Sequence, residues 1–170
     1  MTFEDLQLQP SAEELYLRAQ PHSIDDYASN YKDGLEFAHS YPGDRPETSF
    51  LVDSSGLMEN GPMVYPMIAS VDKDGRLIVE VKTDGGNKDL DHLLEGLSLP
   101  KMKDRIPILA YGANVAPAAA QKKYGVGGRP EIGFVPTLYA QLPGHEVVWF
   151  QNPGQKGNAI AALYLSLIHI

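Results

Sequence analysis

Apolar and polar residues alternate over several short stretches of the chain, and this pattern predicts β-strands. Thr48 to Val52 and Met63 to Val71 form two such stretches, bounded by polar loops. Asp72-Lys-Asp-Gly75 predicts a hairpin turn, and every second residue of the strand after it is apolar, at Leu77, Val79 and Val81. Three later strands are predicted at Val135 to Leu142, Glu146 to Gln151 and Asn158 to Leu165.

Helix-starting signals occur at three other places. Ser11-Ala-Glu-Glu14 is a capping-box pattern that predicts a helix to about Arg18. Ser23 precedes a second predicted helix, in which apolar residues recur at helical spacing: Ile24, Tyr27, Ala28, Tyr31 and Leu35. Asn87 is the expected N-cap of a helix from Lys88 to about Leu97.

The stretch from Ile106 to Gly125 predicts a buried strand, a tight turn and a short helix. Ile106 to Ala110 is an apolar run of strand length, and Tyr111-Gly-Ala-Asn114 interrupts it with residues that favour turns. Pro117 suits the first helical position, and Gly125 suits the C-cap. Such a turn presents free backbone N–H groups that can bind a carboxylate or a phosphate. An ordinary connection within an α/β-type core is the alternative interpretation.

The order of these elements predicts an α+β fold with many short strands, since Pro and Gly punctuate the whole chain. At 170 residues the chain is expected to form a single domain, residues 1–170, with a substantial core. No motif assigns the helices and strands of residues 1–100. The chain has no cysteine, which excludes a disulfide framework and a thiolate zinc site.

The charge is unevenly distributed. Residues 1–60 hold twelve acids and three bases, a net charge of −9, and residues 61–170 hold ten acids and eleven bases, a net charge of +1. This acidic balance argues against nucleic acid as a partner, because that binding depends on Lys and Arg. No apolar run reaches the roughly 18 residues of a membrane helix. Without a signal-peptide pattern at the first residue, the expected location is the cytoplasm.

Other motifs that carry chemistry do not meet their requirements. The histidines are scattered, and none has another histidine at helical spacing; Asp89 and Glu95 beside His92 are a weak signal, so no metal site is predicted. Asp53-Ser-Ser-Gly56 lacks the leading glycine of a nucleophile elbow. Gly125-Val-Gly-Gly128 does not have dinucleotide-binding spacing, and Gly154-Gln-Lys-Gly157 lacks the end of a phosphate-binding loop.

The stretch Leu109-Ala-Tyr-Gly-Ala-Asn114 resembles the signature of the gamma-glutamyl cyclotransferase-like proteins, an apolar strand followed by Tyr-Gly-Ser-Asn and a short helix. The later strands and the loop at Gly157 are similar to the order of elements in that family. The resemblance covers residues from about 106 to 164. It implies a mixed β-barrel or strongly curved sheet with short helices packed outside.

The resemblance also implies a function without a cofactor. The turn residues Tyr111, Gly112, Ala113 and Asn114 would hold the α-amino and carboxylate groups of a gamma-glutamyl amine or amide. In the family, a glutamate later in the chain takes a proton from the substrate amine, which attacks the gamma-carbonyl and releases 5-oxoproline. No other partner is implied, and the oligomeric state is not indicated.

This chain departs from the family at two points. Ala113 replaces the serine of the motif, and the family's glutamate would lie beyond the last apolar strand, because Glu131 and Glu146 come too early. No catalytic residue is therefore assigned, and the truncated chain is expected to be inactive. Residues 165–170 resemble a non-native tail, so the natural sequence is expected to continue after Tyr164; a genuine short C-terminal strand is the alternative. The alternative to a cyclotransferase-like enzyme is a non-catalytic domain of the same fold that binds a small molecule or a protein.

Overall fold

The computed structural model describes the following residues: 7–8, 12–27, 44–58, 61–108, 110, 116–124, 133–141, 145–150 and 160–165. The described strands are β1 (Gln7–Leu8), β2 (His22–Ser23), β3 (Ser49–Asp53), β4 (Met63–Val71), β5 (Leu77–Thr83), β6 (Gly86–Asp89), β7 (Phe134–Thr137), β8 (Ala140–Gln141), β9 (His145–Phe150) and β10 (Ile160–Leu165). The described α-helices are α1 (Ala12–Arg18), α2 (Leu90–Gly96) and α3 (Pro117–Tyr124). Short 3-10 helices cover Ile24–Tyr27 and Met102–Asp104.

An antiparallel sheet of six strands forms the centre of the described part of the chain. Its order is β6-β5-β4-β3-β7, and β2 pairs with the first residues of β4. Two smaller pairs lie outside it, β1 with β8 and β9 with β10. The α+β prediction is confirmed. The predicted closure into a barrel is wrong for these strands, because β6 and β7 end the sheet without pairing with each other.

Each face of the sheet carries a separate hydrophobic cluster, because successive residues of a strand point to opposite faces. On one face α2 packs its buried Leu90 and Leu94 against alternate residues of β3, β4 and β5, including Leu51, Met67 and Val81. On the other face Ala120 of α3 and Ile24 pack against Phe50, Val52 and Val64. The sheet is therefore the middle layer between helices.

Most of the predicted strands occur within a residue or two of their expected ends. The Asp72–Gly75 hairpin is confirmed: Asp72 Oδ1 accepts from the backbone N–H groups of Asp74 and Arg76, both at 2.8 Å. Gly75 has a φ of +78°, which favours glycine because other residues are strained there. In place of the single strand predicted at Val135 to Leu142, the structure has the two short strands β7 and β8.

Two predicted helices differ from the structure. The helix expected after Asn87 begins later. Asn87 belongs to β6, where it pairs with Lys82 of β5, and Asp89 takes the N-cap position. The Asp89 carboxylate accepts from the backbone N–H of His92 at 2.8 Å. After Ser23 the chain forms a 3-10 helix over Ile24–Tyr27 in place of the start of an α-helix, and the rest of that prediction lies outside the described residues.

The predicted buried strand from Ile106 to Ala110 is also wrong where the structure describes it. Residues 106–108 belong to no strand, and the side chains of Ile106 and Ile108 are 87% and 85% exposed. None of the described strands pairs with these residues. Pro107 also lacks the N–H group that a ladder needs.

The prolines in the sheet lie where pairing is incomplete. Pro136 is in β7, at the edge of the sheet, as the sequence predicts. Pro66 is in β4 between the residues that pair with β2 and those that pair with β5. One side of β4 therefore has no partner strand at Pro66, and this gap forms part of a cavity described below.

The helix α1 is held on the sheet by Lys82 of β5. The Lys82 ammonium donates to the backbone carbonyl of Leu17 at 2.9 Å and to that of Tyr16 at 3.4 Å. It also lies 5.8 Å from the centre of the Tyr16 ring. A cation at the C-terminal end of a helix satisfies carbonyls that have no partner within the helix and complements the helix dipole. The start of α1 agrees with the capping-box prediction to within one residue.

Candidate functional site

The turn formed by Tyr111, Gly112, Ala113 and Asn114 lies outside the described residues. The structure describes the chain on either side of it, at Ala110 and from Ala116 onward. In the sequence Asn114 is three residues before Pro117, and α3 is the first described element after the turn.

The start of α3 is buried. Ala116 is 1% exposed, and Pro117 is among the most fully buried side chains. Ala118 and Ala119 are also buried, and these small side chains allow the helix to approach the sheet closely. The predicted start at Pro117 is confirmed, since α3 spans Pro117–Tyr124. The predicted C-cap, Gly125, lies outside the described residues.

The first amides of α3 are largely occupied. The carbonyl of Ala116 accepts from the N–H of Ala119 at 3.0 Å and from that of Ala120 at 3.2 Å. Pro117 has no N–H group. An anion held at this end of the helix would thus depend on the amides of Gly112, Ala113 and Asn114 more than on those of the helix itself. The sequence predicts free backbone N–H groups at the turn before the helix, and the first amides of α3 add few further donors.

A fully buried carboxylate, Asp53, lies at the end of β3. Its Oδ1 accepts from the Ser55 hydroxyl at 2.8 Å, from Ser55 N at 3.1 Å and from Leu57 N at 3.3 Å, and its Oδ2 accepts from Met58 N at 2.8 Å. Its role is to hold the loop after β3. Sequence reasoning examined this residue only as part of a nucleophile elbow. An Asp followed by Ser-Ser-Gly at the end of a strand is the turn signal that could have identified this role.

A cavity of about 290 Å³ lies between α1, β4 and the residues before β3, and we call it the α1 cavity. The gap beside Pro66 forms part of its wall. The polar residues that line it are Arg18, Gln20, His22, Tyr27, Glu47 and Thr48. These residues are spread over the first third of the chain, where the sequence alone assigned no site. Helical spacing predicted only that Tyr27 faces the core, and Tyr27 is half-buried beside the Ile24 cluster.

A larger hollow, of about 430 Å³, runs along the outer side of α2. Its lining includes Leu93, Leu97 and His92, together with Lys88 and Asp89. The Asp89 carboxylate is used as the helix cap, and His92 is exposed. This hollow therefore has a mainly apolar lining, without a set of polar groups that converge on one point.

Burial keeps two phenols near the α1 cavity in the neutral form. It raises the pKa of Tyr27, with smaller contributions from Asp26 and Tyr139. Burial also raises the pKa of Tyr139, where the nearby Arg45 partly opposes the shift. The Tyr139 hydroxyl donates to the carbonyl of Pro46, and the Arg45 guanidinium lies 5.6 Å from the centre of its ring. These contacts fix the residues just before Glu47 and Thr48.

Acid–base and metal-binding residues are dispersed in the part of the chain that the structure describes. No three His, Asp or Glu side chains there come together as a metal site. Of the two glutamates that precede the family's expected position, Glu131 lies outside the described residues and Glu146 belongs to β9. No described helix is both long enough and apolar enough to cross a membrane.

Comparisons of the chain with protein-family models, with curated proteins and with solved structures found no match. The resemblance to the gamma-glutamyl cyclotransferase-like proteins therefore rests on the motif from Leu109 to Asn114 and on the order of the elements after it. It stays a prediction from the sequence.

Proposed function

We propose that this chain is a gamma-glutamyl cyclotransferase-like domain that binds a small gamma-glutamyl-type compound at the turn from Tyr111 to Asn114. One observation carries the proposal. The helix α3 begins at Pro117, three residues after the last residue of the motif, and its first residues are buried. The motif that resembles a binding turn is thus followed by a helix whose first residues are buried.

The chemistry of the turn fits an amino-acid headgroup. The N–H groups of Gly112, Ala113 and Asn114 are suited to a carboxylate, and the Asn114 side chain can accept from an ammonium through its oxygen. Because the Ala116 carbonyl already holds two helix amides, the turn itself would supply the donors. No cofactor is needed for this binding.

An enzyme of this kind would catalyse an internal displacement. The α-amino nitrogen attacks the gamma-carbonyl carbon, the bond from that carbon to the leaving amine breaks, and the proton lost by the attacking nitrogen goes to the leaving amine. A glutamate would carry that proton. We assign it to no residue of this chain, and we expect binding without turnover. The resemblance implies a barrel around this chemistry, whereas the described strands form an open sheet.

A binding experiment tests the proposal. Titration of the ¹⁵N-labelled chain with gamma-glutamylalanine should shift the amide signals of Gly112 to Asn114 in a saturable manner. Asn114→Ala removes the side-chain oxygen that accepts from the ligand ammonium and should weaken binding about tenfold, since a hydrogen bond to a charged group contributes about 1.4 kcal/mol or more. Asn87→Ala, at an exposed position in β6, is the matched control and should leave affinity unchanged.

Two results would contradict the proposal. One is the absence of any saturable shift at the turn, and the other is equal weakening by the Asn114 and Asn87 variants. Release of 5-oxoproline by the chain as it stands would show instead that an acid–base group has been overlooked. That release would contradict the expectation of inactivity and support the binding site.

A non-catalytic interaction domain is the second candidate, and the exposed Ile106 and Ile108 favour it. Large apolar side chains at 87% and 85% exposure, two residues apart, are typical of a segment that another protein covers. Sedimentation of the chain and of an Ile106→Ser, Ile108→Ser variant would test this. Loss of self-association in the variant would support it, and a wild-type chain that is monomeric throughout would argue against a second copy as the partner.

A further inference from the structure

The strand β7 forms one edge of the six-stranded sheet, because no described strand pairs with its outer side. An unpaired edge is a template on which a second copy of a chain can add a strand. Natural proteins obstruct such edges with prolines and with charged side chains. Whether β7 can accept a strand therefore depends on which of its backbone groups face outward.

The register with β3 determines which residues of β7 face outward. The Ser54 N–H donates to the carbonyl of Gly133 at 2.8 Å, so the Gly133 carbonyl faces β3. Backbone groups in an antiparallel pair alternate between the two sides of a strand, so those of Val135 face β3 as well. The backbone groups of Phe134 and Pro136 therefore point to the outer edge.

Both outward-facing residues of β7 are obstructed. Pro136 has no N–H group, so the edge lacks a donor at that position. The Phe134 carbonyl accepts from Nη1 of Arg105 at 3.1 Å, so the Arg105 side chain covers this acceptor. Among the described residues, only the Phe134 N–H and the Pro136 carbonyl are left for another strand.

Arg105 is held in this position by contacts away from β7. Its Nε donates to the carbonyl of Pro100 at 2.9 Å, and its backbone N–H donates to that of Met102 at 3.1 Å, at the end of the 3-10 helix. Burial lowers the pKa of the guanidinium, and the nearby Asp91 partly opposes the shift. The half-buried guanidinium is therefore held between two carbonyls, those of Pro100 and Phe134, before any second copy approaches.

The obstruction matches the pairing that two copies would otherwise form. Two β7 strands related by a two-fold axis at Val135 would place Phe134 of one copy opposite the partner's Pro136. A residue with an N–H group at position 136 would complete four backbone hydrogen bonds across that axis. Proline removes two of the four and leaves each Phe134 carbonyl without a donor from the partner. Arg105 supplies that donor from within the chain.

We propose that Arg105 and Pro136 form an edge lock on β7 that prevents a second copy of this chain from adding its own β7 strand. Pro136 withholds the donor that the Phe134 carbonyl would need in such a dimer, and Arg105 satisfies that carbonyl internally. Neither residue belongs to the turn from Tyr111 to Asn114. The edge lock is therefore separate from the proposed function, and it stands if that function fails.

Removal of both parts of the edge lock tests the proposal. Arg105→Met with Pro136→Thr uncovers the Phe134 carbonyl and restores the missing N–H groups, so sedimentation velocity should show a dimer. Its association constant should exceed that of the wild type at least about tenfold, because each of the two restored hydrogen bonds contributes about fivefold. Each single change leaves one obstruction in place, so the effect of the double variant should exceed the product of the two single effects.

A matched control separates the edge lock from a general loss of charge. Arg76→Met with Pro136→Thr removes an equal charge at an exposed position before β5 and should associate no more than Pro136→Thr alone. Arg105→Lys keeps the charge but loses the forked donors, and it replaces Arg105→Met if that change prevents folding. The series is repeated with Ile106→Ser and Ile108→Ser in every chain, so that association through those two residues is not counted.

Amide hydrogen exchange locates the association. In the double variant, the amides of residues 134 and 136 should exchange at least about tenfold more slowly at high than at low protein concentration. In the wild type, exchange of the Phe134 amide should not depend on concentration. A double variant that associates no more than the Arg76 control, or a wild-type Phe134 amide whose exchange slows as the concentration rises, would overturn the proposal.

Discussion

The buried carboxylate of Asp53 makes a quantitative prediction about stability. Asp53 is 0% exposed and accepts four hydrogen bonds, three of them from backbone N–H groups of the loop that follows β3. Asp53→Ala removes every acceptor at once. A hydrogen bond contributes about 0.5–1.5 kcal/mol net, and somewhat more when its acceptor is charged. The longest of the four is 3.3 Å and contributes least. The expected loss is therefore about 2–4 kcal/mol.

The variant Asp53→Asn removes the negative charge and one of the two oxygens but keeps the shape of the side chain. In Asp53→Asn the remaining oxygen can still accept from Ser55 and Leu57, but the new amide group faces the Met58 N–H, which is also a donor. One strong bond is lost and two donors oppose each other, so the expected cost is about 1–3 kcal/mol. The Ala variant should be the less stable of the two.

Asp72 is a matched control, because it too accepts from the N–H groups two and four residues later, both at 2.8 Å. Its bonds lie at an exposed hairpin, where water can replace the lost acceptor. Asp72→Asn should therefore cost less than about 1 kcal/mol. Urea unfolding followed by far-ultraviolet circular dichroism gives the free energies by linear extrapolation. Equal losses for the Asp53 and Asp72 variants would refute the reasoning that burial sets the cost.

Two further predictions concern the attachment of α1. Burial, with a smaller contribution from Glu80, raises the pKa of Tyr16 from 10.0 to about 12. Between pH 10 and pH 12 the Tyr16 hydroxyl keeps its proton in the folded protein but loses it in the unfolded chain. The free energy of unfolding should therefore fall over this range by up to about 2 kcal/mol, and Tyr16→Phe should remove that part of the fall. The same variant deletes a buried unpaired hydroxyl and should be at least as stable as the wild type at pH 7 in urea unfolding; a loss above about 1 kcal/mol would contradict this. Lys82→Met should cost about 1–2 kcal/mol and speed amide exchange in α1. The exposed Lys88→Met should change neither quantity, and slow exchange in both variants would show that Lys82 does not hold the helix.

Local sequence was enough to predict the elements whose cause lies within a few residues. The hairpin at Asp72 to Gly75 needs only its own side chain and one glycine, and the start of α3 at Pro117 needs only proline geometry and the alanines after it. The turn from Tyr111 to Asn114 was proposed in the same way. It remains a prediction, since it lies outside the described residues.

Tertiary contacts decided the rest. Ile106 and Ile108 have the composition of a buried strand, yet they pair with no described strand and their side chains are exposed. Asn87 can cap a helix, but pairing with β5 moved the cap to Asp89. The α1 cavity joins residues of α1 to Glu47 and to the gap at Pro66. Sequence alone determined the hairpin at Asp72 to Gly75 and the starts of α1 and α3, whereas strand pairing, which depends on partners far along the chain, decided where α2 begins and where a hollow remains.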